Sequence, residues 1–142
     1  KQLLSDALLS VVVGGGFTLV VMTQFVLEAD PWYNPKLILP LAGMIFASAM
    51  NSIGLAGERY YSELGNGKSH EQARAFSFKA AMIPVVNALF AVGLVSLPGM
   101  MTGQILAGVS PLIAARYQIM VMCMIFSASG LASALFLARQ KL

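Results

Sequence analysis

Residues Tyr117–Ala138 read YQIMVMCMIFSASGLASALFLA and contain no charged side chain. An α-helix needs about 20 apolar residues to cross roughly 30 Å of hydrocarbon, at about 1.5 Å per residue. The stretch has this length, so it predicts a membrane-spanning helix. Small residues recur in it four positions apart, as at Ala128 and Ala132. In lipid this spacing lets neighbouring helix backbones approach closely, so we expect the helix to pack against protein.

The rest of the chain repeats this pattern of apolar stretches separated by sparse charges. It is 58% hydrophobic and 11% charged, whereas an average soluble domain is about 25% charged. The charge-free gaps predict spans near residues 7–27, 37–56, 80–97 and 117–138. We therefore expect an all-α membrane helix bundle, forming a single transmembrane domain over residues 1–142 in a lipid bilayer, with a cytoplasmic loop over 57–79.

The basic residues indicate an orientation for the bundle. With a cytoplasmic N-terminus, seven of the nine cations fall inside and only Lys36 and Arg116 fall outside, which satisfies the positive-inside rule. A fifth span over 99–115 worsens the division to six against three. The pattern predicts that both termini are cytoplasmic; the expected membrane is a bacterial inner membrane. It also explains the net charge of +3 without a nucleic-acid partner.

The middle segment, GERYYSELGNGKSHEQARAFSFK, is the one sizeable polar element. Gly65-Asn66-Gly67 predicts a break. Ser69-His70-Glu71-Gln72 matches a capping box, in which Ser69 and Gln72 satisfy each other's backbone N–H groups. A short helix is expected to begin at His70 and run into the third span. His70, Glu71 and Glu63 carry no recognisable metal or nucleophile spacing, and a solvated face is the favoured interpretation.

Asn51 and Asn87 are carboxamides within predicted spans. Lipid cannot satisfy their hydrogen-bonding groups, so each is expected to face protein or a water-filled path. Two interpretations stay open: an interhelical hydrogen bond, or a residue of a substrate path. Pro84 removes a backbone donor from the third span, which predicts either a static bend or a hinge.

Sulfur-containing residues cluster at Met100-Met101 and at Met120, Cys123 and Met124. The last three occupy one helical face by spacing. Soft sulfur ligands suit Cu(I), but methionine is also a routine filler of irregular apolar gaps. Core packing is the favoured interpretation, and no metal is assigned.

The stretch VGLVSLPGMMTGQILAGVSP, Val92–Pro111, is apolar yet interrupted by helix breakers. Pro98 cannot donate a backbone hydrogen bond, and Gly99 permits unusual dihedral angles. Non-helical backbone at membrane depth occurs only where protein buries it or where it lines a cavity. One interpretation is therefore a broken or re-entrant turn near a gate. The other is an external loop with a short interfacial helix over 102–107.

Three stretches resemble the FetB-type ABC transporter permeases, which include bacterial proteins linked to iron export and plant relatives linked to aluminium tolerance. They are ILPLAGMIFASAMNSIGL (38–55), AAMIPVVNAL (80–89) and VGLVSLPGMMTGQILAGVSPLIAARYQIMVM (92–122). The resemblance implies a permease subunit without its own ATPase. It would pair with a separate ABC ATPase subunit, dimerise with a second permease chain, bind no cofactor itself and use ATP through its partner. Metal ions, iron above all, are the implied substrate.

The resemblance also implies that a coupling helix over 67–78 would dock on the ATPase. The expected substrate path or gate rests on the residue types themselves and lies at Asn51, Asn87, Pro98, Gly99, Met100 and Met101, with Pro84 as a hinge. The expected coupling residues are Gly67, Ser69, Glu71, Gln72, Ala73, Arg74 and Phe76. Family members have further N-terminal spans and a longer cytoplasmic loop, so this chain is expected to be a partial member.

Three alternatives remain beside the permease. The chain could be a structural or regulatory subunit that transports nothing alone. It could be a secondary transporter, although no predicted span carries the buried acidic residue that such carriers use. It could be an intramembrane enzyme, but it lacks a credible nucleophile and base.

Overall fold

A computed structural model describes residues 2–27, 33–94 and 98–140, and these ranges contain helices and short turns but no strand. The helices are α1 (Gln2–Val21), α2 (Pro35–Gly65), α3 (His70–Leu94), α4 (Gly99–Leu106) and α5 (Pro111–Arg139), and a π-helical turn over Met22–Val26 continues α1. Four of them, all but α4, are long and apolar enough to cross a membrane. The expected all-α membrane bundle is confirmed. The last residues of the third predicted span, 95–97, lie outside the described residues.

Helix α5 is the centre of the bundle and contacts every other helix. Helix α2 contacts α1 and α3 as well as α5, so α1 and α3 flank the α2–α5 pair. One end of the bundle, the loop end, holds the Asn66–Ser69 turn, the start of α1 and the end of α5. The opposite end, the α4 end, is where α1 stops, α2 starts and α4 lies.

The polar segment proves far more helical than the expected loop over 57–79. Helix α2 runs on to Gly65, α3 already begins at His70, and only four residues separate them. Gly67, with a φ of +76°, ends α2 in a left-handed conformation that glycine adopts at little cost. The N–H of Gly67 donates to the carbonyl of Leu64, and that of Lys68 to the carbonyl of Glu63. The coupling helix expected over 67–78 therefore corresponds to the first turns of α3, which runs on into the third span as the sequence predicts.

Helix α4 forms where the sequence predicts a short helix. It runs from Gly99 to Leu106, with a start three residues earlier than expected, and none of its side chains is buried. Residues 95–97, which precede it, lie outside the described residues, and the choice between a re-entrant turn and an external loop stays a prediction. Gly108 has a left-handed backbone with a φ of +90°, whereas Gly99 lies in the first turn of α4.

Small residues make the close contact between α1 and α5 possible. Ser129, Ala132 and Ser133 of α5 are fully buried. A Cβ atom at Gly14 of α1 would lie 2.9 Å from the backbone nitrogen of Ala132. Backbone therefore packs directly on backbone at this crossing, as the small-residue spacing predicted.

A second pair of small residues four positions apart, in α2, does not mark a packing face within this chain. Gly43 and Ala47 are both exposed, and a Cβ atom at Gly43 would meet nothing within 4 Å. The packing side of α2 instead carries larger residues, with Ile45 and Ala49 fully buried.

Replacing Gly14 with alanine tests the backbone contact. Because the new methyl group would overlap the backbone of α5, Gly14→Ala is expected to lower the free energy of unfolding by about 1–3 kcal/mol. Gly16→Ala is the matched control, since its Cβ would meet nothing within 4 Å. Thermal unfolding in detergent measures both, and equal melting temperatures for the two variants would contradict the proposed crossing.

Candidate functional site

The turn between α2 and α3 presents most of the predicted coupling residues at the surface. The capping box forms as expected: the N–H of Gln72 donates to Ser69 Oγ at 3.3 Å, and the N–H of Ser69 donates to Gln72 Oε1 at 3.3 Å. Gly67, Ser69, Glu71 and Gln72 are exposed, and Phe76 one turn later exposes 44% of its surface. An apolar ring beside acidic and amide groups is suited to protein contact.

Ala73 and Arg74 do not belong to this surface. Ala73 is fully buried in an apolar cluster with Ala56, Tyr60 and Phe136, so it cannot touch a partner. Arg74 is half-buried, and its guanidinium donates to the backbone carbonyl of Gln140 at the end of α5. Both were expected to contact the ATPase directly, and both face the bundle because they occupy the inner side of α3.

A polar cluster at the loop end connects α2, α3 and α5. The hydroxyl of Tyr60 lies 2.8 Å from His70 Nδ1 and 3.5 Å from the backbone oxygen of Gln140. The hydroxyl of Tyr61 donates to Gln140 Oε1 at 3.0 Å. Tyr60 and Gln140 are buried, at 2% and 8% exposure. These four residues and Arg74 form what we call the clamp, in which side chains of α2 and α3 hold the end of α5.

The clamp was only partly visible in the sequence. Tyr60-Tyr61 inside a polar segment was an available signal, because tyrosine combines an apolar ring with a hydrogen-bonding tip. Gln140 gave no signal, since its importance depends on where α5 ends. The expectation of a solvated face is also wrong for two residues. His70 is hydrogen-bonded to Tyr60. Glu63 is only 6% exposed and forms an ion pair with Arg59 at 2.6 Å.

Asn51 and Asn87 are both exposed, and neither side chain makes a hydrogen bond to another helix among the described residues. Asn51 lies one turn before Leu55 in α2, and Asn87 two turns after Ala80 in α3. Leu55 and Ala80 line one cavity of about 220 Å³. Asn87 itself lines a different cavity of about 290 Å³, which is formed by α3 side chains. We infer from helical periodicity that both amides lie toward the outer side of the α2–α3 pair, and we call this side the amide face.

The other predicted path residues lie elsewhere. Met100 and Met101 are on α4, at the opposite end from the clamp, and Pro98 precedes that helix. Met100 lines a cavity at the α4 end that neither asparagine reaches. The structure therefore does not bring the six predicted path residues together. Pro84 is exposed within an unbroken α3, and its hinge role stays a prediction.

The sulfur-containing residues do not form one cluster. Met124 is buried at 1% exposure, whereas Cys123 is exposed and points away from it. Among the described residues, no group of three or more histidine, cysteine, aspartate or glutamate side chains is placed to hold a metal ion. Core packing accounts for Met124, which lies in the apolar cluster with Met22 and Ile45.

The fold defines the class of this protein: it is an integral membrane protein built as a helical bundle. The chain belongs to the family described as an uncharacterised protein family, UPF0014, whose profile matches residues 1–76 and 64–141. The family resemblance drawn from the three sequence stretches is thereby confirmed.

Three relatives illustrate the match. A UPF0014 membrane protein of Synechocystis is 40% identical over 133 residues, which cover 83% of this chain and 50% of the relative. The probable iron export permease protein FetB of Escherichia coli is 39% identical over 143 residues, covering 90% of this chain and 54% of that protein. The protein ALUMINUM SENSITIVE 3 of Arabidopsis thaliana is 32% identical over 140 residues, covering 88% of this chain and 50% of the relative.

The chain spans about half the length of the curated relatives it matches. The alignment with FetB has 143 positions, more than the 142 residues of this chain, of which it covers 90%. The bacterial relative therefore carries residues within the aligned region that have no counterpart here. No solved structure matches the chain at a significant level.

Removing one hydroxyl group tests the clamp. Tyr60→Phe deletes the contacts to His70 and Gln140, so it is expected to lower the free energy of unfolding by about 1 kcal/mol. Hydrogen exchange is expected to become faster both in the first turn of α3 and in the last turn of α5. Tyr117→Phe, the same change at the α4 end, is the control and should leave exchange at the loop end unaltered. Faster exchange in α3 alone would show that the clamp does not join the two helices.

Proposed function

We propose that this chain is a membrane-spanning permease subunit of an ABC exporter that moves metal ions, with iron as the substrate, using ATP hydrolysed by a separate ATPase subunit. The observation that carries the proposal is the 39% identity to a protein named probable iron export permease. The chain itself acts as a transport subunit, and ATP acts through the partner. Both termini and the α2–α3 turn lie on the cytoplasmic side of a bacterial inner membrane, in keeping with the cation distribution.

The geometry of the loop end supports a coupling role. The exposed turn is followed directly by α3, which continues without interruption from His70 to Leu94. A force on Glu71, Gln72 or Phe76 therefore acts directly on a helix that continues into the membrane. The clamp passes the same movement to α5 through Gln140. Since α5 contacts every other helix, one docking event can shift the whole bundle.

The amide face supports the placement of the substrate path. Two carboxamides at similar depth cannot be satisfied by hydrocarbon, so this face needs protein or water as its neighbour. In a homodimer the amide faces of two chains would lie opposite each other and enclose a polar route. Asn51 and Asn87 would then replace part of the water shell of a passing ion.

A second candidate is a subunit that transports nothing alone. The names of the Synechocystis and Arabidopsis relatives state no transport activity, which favours this alternative. Such a subunit would still pair its amide face with another permease chain, but it would not stimulate an ATPase.

Truncating Phe76 tests the docking surface. Aromatic side chains carry much of the binding energy at interfaces, so Phe76→Ala is expected to weaken binding to the cognate ATPase about tenfold or more. Phe90→Ala is the matched control, because Phe90 is on the same helix, is 64% exposed and lies far from the turn. Titration of each variant with the purified ATPase measures both dissociation constants. Equal affinities for wild type and Phe76→Ala would contradict docking at this surface, and absence of any ATPase binding would favour the second candidate.

Replacing Asn87 with leucine separates transport from packing. Asn87 is exposed in the isolated chain, so Asn87→Leu is expected to leave the melting temperature unchanged while reducing metal export at least severalfold. Phe90→Leu is the control, since it changes an exposed apolar side chain three residues further along α3. Export assays in reconstituted vesicles and thermal unfolding in detergent check the pair. A parallel loss of stability and transport would assign Asn87 to packing.

A further inference from the structure

The interface between α2 and α5 carries hydroxyl groups on both helices. Ser48 Oγ and Ser129 Oγ lie 2.7 Å apart and form a hydrogen bond between the two helices. Both helices run from the α4 end to the loop end, so Ser52 and Ser133, each four residues further on, lie one turn nearer the loop end. Ser52 is 2% exposed, and Ser129 and Ser133 are fully buried. We call these four serines the seam.

The hydroxyl groups of the seam differ from the other buried hydroxyl groups of the bundle. Those of Ser10, Thr18 and Ser77 each donate to the backbone carbonyl four residues earlier in their own helix. Such a bond satisfies the hydroxyl without any neighbouring helix. Ser129 instead pairs across the interface, and Ser133 Oγ has no partner in the described part of the chain. The state of these two groups therefore depends on how α2 and α5 are placed.

Unpaired polar atoms concentrate where the seam approaches the clamp. Among the described residues, four buried side-chain atoms have no hydrogen-bond partner, and three of them are Ser133 Oγ, Arg74 Nε and Gln140 Nε2. Gln140 lies two turns beyond Ser133 on the same side of α5. A polar group without a partner in a dry interior is destabilising, and water can supply the partner. Water that reaches these atoms would therefore offset part of the cost of separating the two helices.

The bonds that fasten α5 to its neighbours at this end can be broken at low cost. Hydrogen bonds between helices in a membrane contribute little each, because the separated groups find other partners. The clamp holds Gln140 through Arg74 of α3 and Tyr61 of α2. Arg74 lies in the same turns of α3 as Glu71 and Phe76, which are exposed. A force on the coupling surface therefore acts directly on the clamp.

We propose that α5 separates from α2 along the seam in one step of the transport cycle, and that water enters from the loop end as far as Ser133. This inference rests on the proposed function, since the ATPase supplies the force, and it adds which interface opens. In the closed state Ser48 holds Ser129, as in this structure. In the open state this bond and the clamp are broken, and water pairs with Ser133, Arg74 and Gln140.

A disulfide between the two helices tests the opening. The hydroxyl oxygens of Ser48 and Ser129 are 2.7 Å apart, so cysteines at both positions are close enough to form one. Ser48→Cys/Ser129→Cys is combined with Cys123→Ser, which removes the native cysteine, and is reconstituted with the cognate ATPase. Oxidation is expected to lower metal export about tenfold or more, because a blocked conformational step stops the cycle. Reduction should restore export, and ATPase binding should persist throughout.

The controls separate this inference from the proposed function. Each single-cysteine variant, treated with the same oxidant, should keep its export. Full export by the cross-linked protein would overturn opening at the seam and leave the proposed function standing. Failure of the disulfide to form would overturn the close approach of Ser48 and Ser129. If the Cys123→Ser parent neither bound the ATPase nor exported metal, the proposed function would fail, and this inference with it.

Chemical labelling provides the second arm of the test. Ser133→Cys, in the same Cys123→Ser background, should react about fivefold faster or more with a water-soluble maleimide during ATP turnover than without ATP, since opening admits water. Ser77→Cys is the matched control, because Ser77 is equally buried but lies on α3 and is satisfied within its own helix. Equal rates for Ser133→Cys in both conditions would overturn the proposal. An equal rise in the two variants would mean general loosening of the bundle and would also overturn it.

Discussion

Close contact between helix backbones is the interaction on which this bundle depends. Lipid chains are as apolar as the side chains they would replace, so helices in a membrane gain little from burying apolar area against each other. They gain from approaching closely, and Gly14 against Ala132 is the point where α1 and α5 do so. Helix α5, which contacts every other helix, buries small residues such as Ser129 and Ala132 beside larger ones such as Phe136.

Polar contacts then fix what packing alone leaves free. At the loop end, the clamp joins α2, α3 and α5, and the ion pair of Asp6 with Arg139 at 2.8 Å joins α1 to α5. These contacts lie where water begins, so hydrogen bonds can set the relative positions of the helix ends without the full cost of burying charge. The end of the molecule that faces a motor protein in the proposed function is thus an end at which polar contacts join α1, α2, α3 and α5.

The amide face is the surface for which the proposed function needs a neighbour. It presents Asn51 and Asn87 on helices long and apolar enough to cross a membrane, where lipid offers no hydrogen bond. Because polar groups must be paired where water is scarce, this face points to another polypeptide or to a water-filled route.

Much of this architecture could be read from the residues in order. The number of spans, the capping box at Ser69 and Gln72 and the membrane class follow from local composition and spacing, because helix formation in lipid and helix capping depend on neighbours in the chain. Which side of each helix faces the bundle could not be read. Ala73 and Gly43 carry the same kind of small-residue signal, yet one is fully buried and the other is exposed.

The sequence by itself determined that four apolar helices cross a membrane and that a polar segment joins the second to the third. Only the tertiary structure decided that this segment is mostly helical, that Gln140 meets Arg74, and that Lys36 and Gln104 line one cavity. These relations join residues far apart in the chain through the rotation of each helix about its axis. That rotation is set by the packing of all helices together, which no single stretch of sequence contains.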